Sequence, residues 1–458
     1  MLATRSSKAA LFVALALSSA ACVGRASEAD RNVGATLINR LNPAGEASAQ
    51  HAAQPAAAPR PRDRAPRQIR GIYVSAYAAG NPVTRAKLLA LTDSTEINTW
   101  VVDVKDEDGV RYPSDLPLAV EATHVRSIPV RNLRGLGDTL RAHGIHAIAR
   151  IVVFKDPRLS RARPDWSIRQ AGGALWRDKV GNTWVNPWDR RVWDYNLDIA
   201  AEAVRAGFSE VQFDYVRFPE AYKSLPTQIF PTAVGSKADA ISGFLDEAGR
   251  RLRPLGASIT ADVFGLSMNE ATDVGIGQQW ERLSSTADHL LPMVYPSHYF
   301  PTHLPGIKRP NRMPYETVFT SVGEGVVRNR RLREAGVEPA RIIPWLQAFT
   351  ATWNDREFRY GPAQARSQMQ AVYDVGLEDW IFWNPSSNYD AVSAGFEREL
   401  RPRAKAFTPP ALLVSQVDRF DREGAAAARA RAATAGAPTA KTAQAPAPAR
   451  APTAAPGQ

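Results

Sequence analysis

The chain has 458 residues, 44% hydrophobic and 22% charged, which suits a globular core and accommodates one barrel of roughly 250 residues or more plus tails. Its formal net charge is +11, but residues 1–70 and 401–458 each contribute +6, which leaves −1 for residues 71–400. A nucleic-acid-binding domain would carry its basic patch on the folded part, so that class is excluded; the basic tails suit an anionic membrane surface instead.

The N-terminus reads as an export signal. Arg5 and Lys8 precede the apolar run Ala9–Leu17, which is too short to span a bilayer. Small residues follow, then Cys22, the sole cysteine, so no intrachain disulfide can form. The order SSAAC resembles a bacterial lipobox, which implies lipidation of Cys22; Ser19 stands where leucine is usual, so plain signal-peptidase cleavage is the alternative. Residues 1–22 are therefore expected to be a signal peptide. Residues 23–68, rich in Ala, Pro, Arg and Ser, are expected to be a disordered linker. An exported lipoprotein, periplasmic or at the cell surface, follows from these features.

Residues 69–402 alternate strand-length apolar runs with helix-length stretches. The runs are Arg70–Tyr77, Asn98–Asp106, His146–Asp156, Ser209–Pro219, Ala257–Gly265, Asp288–Tyr299, Arg341–Thr350 and Asp379–Pro385. Most are nearly continuous in apolar character, as strands buried on both faces are. Helices are predicted over 82–91, 132–142, 189–206, 238–255 and 363–375, with Gly207 and Gly376 as stop signals. Eight strands alternating with helical stretches predict an α/β fold, the closed (β/α)8 TIM barrel. A doubly wound open sheet is the alternative, weakened by the absence of a Gly-rich phosphate loop after the first run. Residues 403–458 are expected to be a disordered Ala/Pro-rich tail, with a frayed helix in the Ala/Arg-rich run from Glu423.

In such a barrel, chemistry sits at the C-terminal ends of the strands. Those ends here carry Asp103, Lys105 and Asp106; Lys155 and Asp156; Asp214, Tyr215 and Arg217; Asp262; Tyr295, Ser297, His298 and Tyr299; Gln347; and Trp383 with Asn384. Strand alternation puts Asp103 with Lys105 on one face, and Asp214 with Gln212. Asp103, Asp214 and Asp262 are thus expected to converge, with Lys105 or Arg150 compensating their charge. The rival reading is a structural ion-pair network at the barrel rim. Paired carboxylates suit glycoside hydrolysis, which needs one acid and one nucleophile or base. Candidate sugar contacts are Asp106, Arg217, Tyr295, His298, Gln347, Trp383 and Asn384. The tryptophans near predicted loops, Trp176, Trp184, Trp188, Trp345, Trp353 and Trp383, are each more often core than sugar platform.

Other chemistries lack their residues. There is no HExxH, no G-x-S-x-G, no P-loop and no cysteine outside the export signal. A divalent ion at DVKDEDG is conceivable, but a solvated acidic turn is the favoured reading, so no metal and no cofactor is expected.

RGIYVSAY, WVVDVKDEDG, VQFDYVRFP and MVYPSHY, in that order, resemble a bacterial glycoside hydrolase family of (β/α)8 barrels over about residues 69–400. The resemblance implies a poly- or oligosaccharide substrate. It implies Asp214 as nucleophile or base and Asp262 as acid, although many related barrels use a glutamate for the second role; Asp103 is a rival for it. The chain is expected to be a monomer held to the membrane by its lipid. A non-catalytic carbohydrate-binding barrel and a structural envelope lipoprotein are the alternatives.

Overall fold

A computed structural model describes residues 65–123, 128–400 and 404–435. The expected signal, Cys22 and nearly all of the linker lie outside the described residues, as does the tail beyond 435. The strands are β1 (Arg70–Val74), β2 (Thr99–Asp106), β3 (Gly109–Val110), β4 (His146–Val152), β5 (Glu210–Asp214), β6 (Ser258–Phe264), β7 (His289–Met293), β8 (Arg341–Ile342), β9 (Trp345–Gln347) and β10 (Trp380–Trp383). The helices are α1 (Ala76–Gly80), α2 (Pro82–Ser94), α3 (Pro117–Glu121), α4 (Leu133–Ala142), α5 (Pro157–Ala162), α6 (Arg190–Arg205), α7 (Lys237–Leu252), α8 (Trp280–Thr286), α9 (Pro314–Glu334), α10 (Pro362–Asp374) and α11 (Ala411–Ala435).

The sheet is closed. Strand β1 pairs in parallel with both β10 and β2, and parallel pairing runs on through β4, β5, β6, β7 and β9. This is the eight-stranded (β/α)8 barrel, with the antiparallel β3 as a short flap on β2. An open sheet is ruled out by the β1–β10 contact. The seventh run is split into β8 and β9 by Ile343 and Pro344, because proline has no N–H for the ladder.

Local signals place the helices. The Asp189 side chain accepts from the Arg191 N–H and caps α6, and Gly207 follows that helix at φ 107°. Helix α7 begins with a capping box between Ser236 and Asp239. Apolar faces of the helices pack on the outward residues of the strands, in the cluster that holds Trp100, Val102 and Val104. Ile69, Tyr73, Val101, Ile148, Leu291 and Trp345 form a separate cluster inside the barrel. Below it, Glu210 takes His146 Nε2 at 2.8 Å and His289 Nδ1 at 2.9 Å, and the Thr260 hydroxyl donates to it. Burial opposes the Glu210 charge, yet the two histidines and their bonds hold its carboxyl well below the usual range.

The expected disordered tail from residue 403, with a frayed helix only from Glu423, needs correction, since the helix begins at Ala411. Helix α11 lies on α9: Leu413, Val417 and Phe420 are buried, and Arg331 ion-pairs with Asp418 and Asp421. At Gly323 of α9 the two helices approach closely, and a Cβ would meet Leu413 Cδ1 at 2.7 Å, so the leucine would have to shift. The apolar residues of 411–420, at helical spacing, have found a partner surface that an Ala/Pro-rich composition obscures.

Phe420 packs with Ala271, Val327 and Val417. Phe420→Ala should lower unfolding free energy by about 3 kcal/mol. It should also open residues 404–424 to limited trypsin digestion, both measured against the parent chain by urea melts and proteolysis.

Candidate active site

Inward-facing positions of adjacent strands converge on one guanidinium. Arg150 Nη1 donates to Asp103 Oδ1 at 2.5 Å, and its Nε donates to Asp214 Oδ2 at 3.0 Å. Its Nη2 donates to that same Asp214 oxygen. The Tyr73 hydroxyl donates to the other Asp103 oxygen. Tyr73 stacks on Trp383 at 4.0 Å, and the guanidinium lies 5.3 Å from the Trp383 ring. Arg150 is thus the charge compensator. Lys105 is not: the register shifts between Asp103 and Lys105, and Lys105 turns outward to pair with Asp156 at 2.8 Å and lie over Tyr195.

Asp262 has no such cation. Gln212 Nε2 and Trp345 Nε1 both donate to its Oδ1, at 2.8 and 2.6 Å. Burial, then repulsion from Asp214, pushes the Asp262 carboxyl well above its usual range, against the pull of Arg150 and the Trp345 bond. Burial also raises Asp103, against Arg150 and two hydrogen bonds. The two cleft carboxyls therefore differ in character: Asp214 is ion-paired, and Asp262 keeps its proton to higher pH than an ordinary aspartic acid.

The backbone at the site is special in two places. Tyr215 has φ 48°, a left-handed conformation that is uncommon outside glycine, and its N–H donates to Asp214 Oδ1 at 2.5 Å. Gly265 follows β6, where a Cβ would lie 2.7 Å from the Met293 carbonyl oxygen. Only glycine lets these two strand ends approach so closely.

A cleft lies over these groups at the C-terminal end of the barrel, lined by Arg150, Asp214, Asp262, Tyr295, Trp345 and Trp383 among others. Of the candidate catalytic and sugar-contact residues named from sequence, Asp214, Asp262, Arg217, Tyr295, His298 and Trp383 border it, and so do Tyr215, Tyr299 and Trp345. Asp103 sits behind Arg150 with both oxygens occupied, as a positioning group. Gln347 is buried and spends its side chain on the backbone of Ser297 and Phe349. Asn384 bonds Ala348 O and Ser386.

Asp106 ends β2, paired with Arg111 at 3.1 Å, and burial there raises its carboxyl to about 7. The rest of that acidic turn is ion-paired rather than simply solvated: Glu107 to Lys155 at 3.3 Å and Asp108 to Arg158 at 2.7 Å. Trp176 and Trp184 are core, buried in the excursion between α5 and α6. Gln278 and Phe264 had drawn no notice in the sequence. Gln278 bonds the backbone of Asp262 and Phe264 at 3.0 and 2.9 Å, and no motif marks such a loop residue.

Residues 71–389 match a family model described as "Putative glycosyl hydrolase domain". No curated protein matches. Among solved structures, the PgaB (BpsB) glycoside hydrolase domain from Bordetella bronchiseptica aligns at 13% identity and TM-score 0.53, covering 72% of this chain and 99% of that one. It shares the fold. A hypothetical protein from Ruminiclostridium thermocellum is 36% identical over 42% of this chain and 97% of its own, with TM-score 0.37.

Arg150→Met would leave Asp103 and Asp214 buried without a cation, at a cost of about 3–5 kcal/mol. Asp103, already raised, would rise further and hold its proton more tightly folded than unfolded. Stability should then fall as pH rises, so thermal melts at pH 5 and pH 8 should show the larger loss at pH 8.

Proposed function

This chain belongs to the family described as "Putative glycosyl hydrolase domain", and on that premise we propose that it cleaves a glycan with Asp262 as the acid and Asp214 as the nucleophile. The observation that carries the reading is the unequal pair in the cleft, one carboxyl ion-paired to Arg150 and its neighbour raised by burial and by the first one's charge. Asp262 gives its proton to the glycosidic oxygen as that bond breaks, and Asp214 attacks the anomeric carbon. Water then displaces Asp214 while Asp262 takes the water's proton. Arg150 holds Asp214 in place, and Asp103 with Tyr73 holds Arg150.

Register supports the retaining course. Gln212 pairs with Thr260 and Phe213 with Ala261, so Asp214 and Asp262 occupy the next matched step on neighbouring strands. Neighbouring strands lie about 4.8 Å apart. Side chains on one face at one height favour the narrow separation of roughly 5–5.5 Å used by retaining enzymes over the wider inverting one.

Asp214→Asn should abolish glycan hydrolysis. Asp262→Asn should lose about 10²–10⁴-fold on natural linkages and much less on aryl glycosides, whose leaving groups need no proton. Activity requires protonated Asp262, so the rate should fall as pH rises through its raised pKa, and that alkaline limb should vanish in Asp262→Asn. Equal losses on both substrate types would refute the acid assignment. Proton NMR of the first-formed anomer decides the stereochemistry.

The site of action is proposed from the N-terminal sequence alone. Arg5, Lys8, the apolar run and Cys22 support export and a lipid anchor, with the linker holding a monomeric barrel away from the membrane beside an envelope or extracellular glycan. Cys22→Ser should move the protein from the membrane to the soluble fraction on cell fractionation. An unchanged membrane fraction would remove the anchor.

A further inference from the structure

We infer that Phe349 and Trp353, on the segment joining β9 to α10, form a second sugar-binding subsite outside the cleavage point, which makes this chain a binder of oligosaccharides rather than of short glycosides. This rests on the glycan-cleaving reading for its substrate class, and it stands on separate geometry. Tyr295 and His298 line the cleft. From there the aromatic rings continue outward: His298 lies 5.3 Å from Tyr295, 6.1 Å from Phe349 and 6.2 Å from Trp353. Phe349 and Trp353 are themselves nearly parallel, 5.8 Å apart at 21°.

Both rings are half-buried. Phe349 packs against the apolar cluster inside the barrel, and Trp353 stacks on Phe349 without itself joining that cluster. A large half-covered indole beside a carboxylate cleft offers an apolar face to the C–H face of a pyranose ring.

The platform is also held in place before any ligand arrives. Gln347 donates to Phe349 O at 3.0 Å and accepts from Ser297 N at 3.0 Å, and Asn354 donates to Ser297 O at 2.9 Å. These bonds tie the platform segment to the His298 turn. Tyr360 N donates to Thr350 Oγ1 at 3.1 Å, and Arg312 ion-pairs with Asp355, which closes the far side of the segment. A rigid aromatic surface loses little side-chain entropy on binding. Gln347, expected to touch sugar, instead fixes the residues that do.

The test uses the full chain carrying Asp214→Asn, titrated by calorimetry with cello-, chito-, malto- and β-galacto-oligosaccharides of two to six units. For at least one series, affinity should rise about tenfold between the disaccharide and the tetrasaccharide. Adding Trp353→Ala should erase that rise, and Trp353→Phe should restore most of it. Circular dichroism melts check that each variant folds, and Phe349→Leu provides a second, milder probe. A chain-length gain that survives Trp353→Ala overturns the inference, and so does the absence of binding in every series. If the parent chain hydrolyses none of these ladders yet the Trp353-dependent gain is present, the glycosidase reading falls and the subsite stands.

Discussion

The structure depends on one cation placed between two carboxylates inside a barrel. Buried charge is tolerated only when matched, and Arg150 matches Asp103 and Asp214 at once. The barrel supplies the geometry: Asp103 pairs with Arg150 in register, and Arg150 pairs with Gln212, two residues before Asp214 on the same face of the next strand. No residue of this cluster has to reach far. The third carboxyl, Asp262, is then left beside a charge it cannot share a cation with, and retaining its proton is the cheaper solution.

That asymmetry is a property of the assembled interior. Tyr73 and Trp383 form one wall against Arg150, and Trp345 bonds Asp262 from the other side. The same aromatic residues that fill the barrel also orient its ionisable groups. Beneath them, Glu210 between His146 and His289 closes the floor with a second buried, hydrogen-bonded carboxylate. The polar groups of the interior are thus arranged in layers, and the upper one borders the cleft.

The periphery decides access. The excursion between α5 and α6 buries Trp184 edge-on to Tyr215 and brings its ring to 5.0 Å from the Arg217 guanidinium. The segment after β9 carries Phe349 and Trp353, tied down through Gln347 and Asn354. Helix α11 lies away from the cleft on α9 and lengthens the folded unit past the barrel's last strand.

Much of this was legible in the sequence. Eight buried strands announce themselves as continuous apolar runs of the right length, and Pro and Gly punctuate the helices, because backbone hydrogen bonding and burial act locally. Polar residues at one end of each run marked the cleft, and Asp214 and Asp262 were found that way. What periodicity could not decide was which polar residue faces which neighbour. A single shift in register after Asp103 turned Lys105 away and left Arg150 as the cation that pairs with Asp103 and Asp214. Asp103, Gln347 and Asn384 stand at strand ends like true cleft residues, yet their bonds run to neighbouring side chains and backbone. The first half of helix α11 was hidden because the surface that covers its apolar face, α9, is distant in the sequence, whereas its Ala/Arg-rich second half was legible as helix. The sequence by itself determined the barrel, its open end and the carboxyls available there; only the tertiary structure decided their partners, since a buried carboxyl's protonation depends on charges brought beside it from other strands.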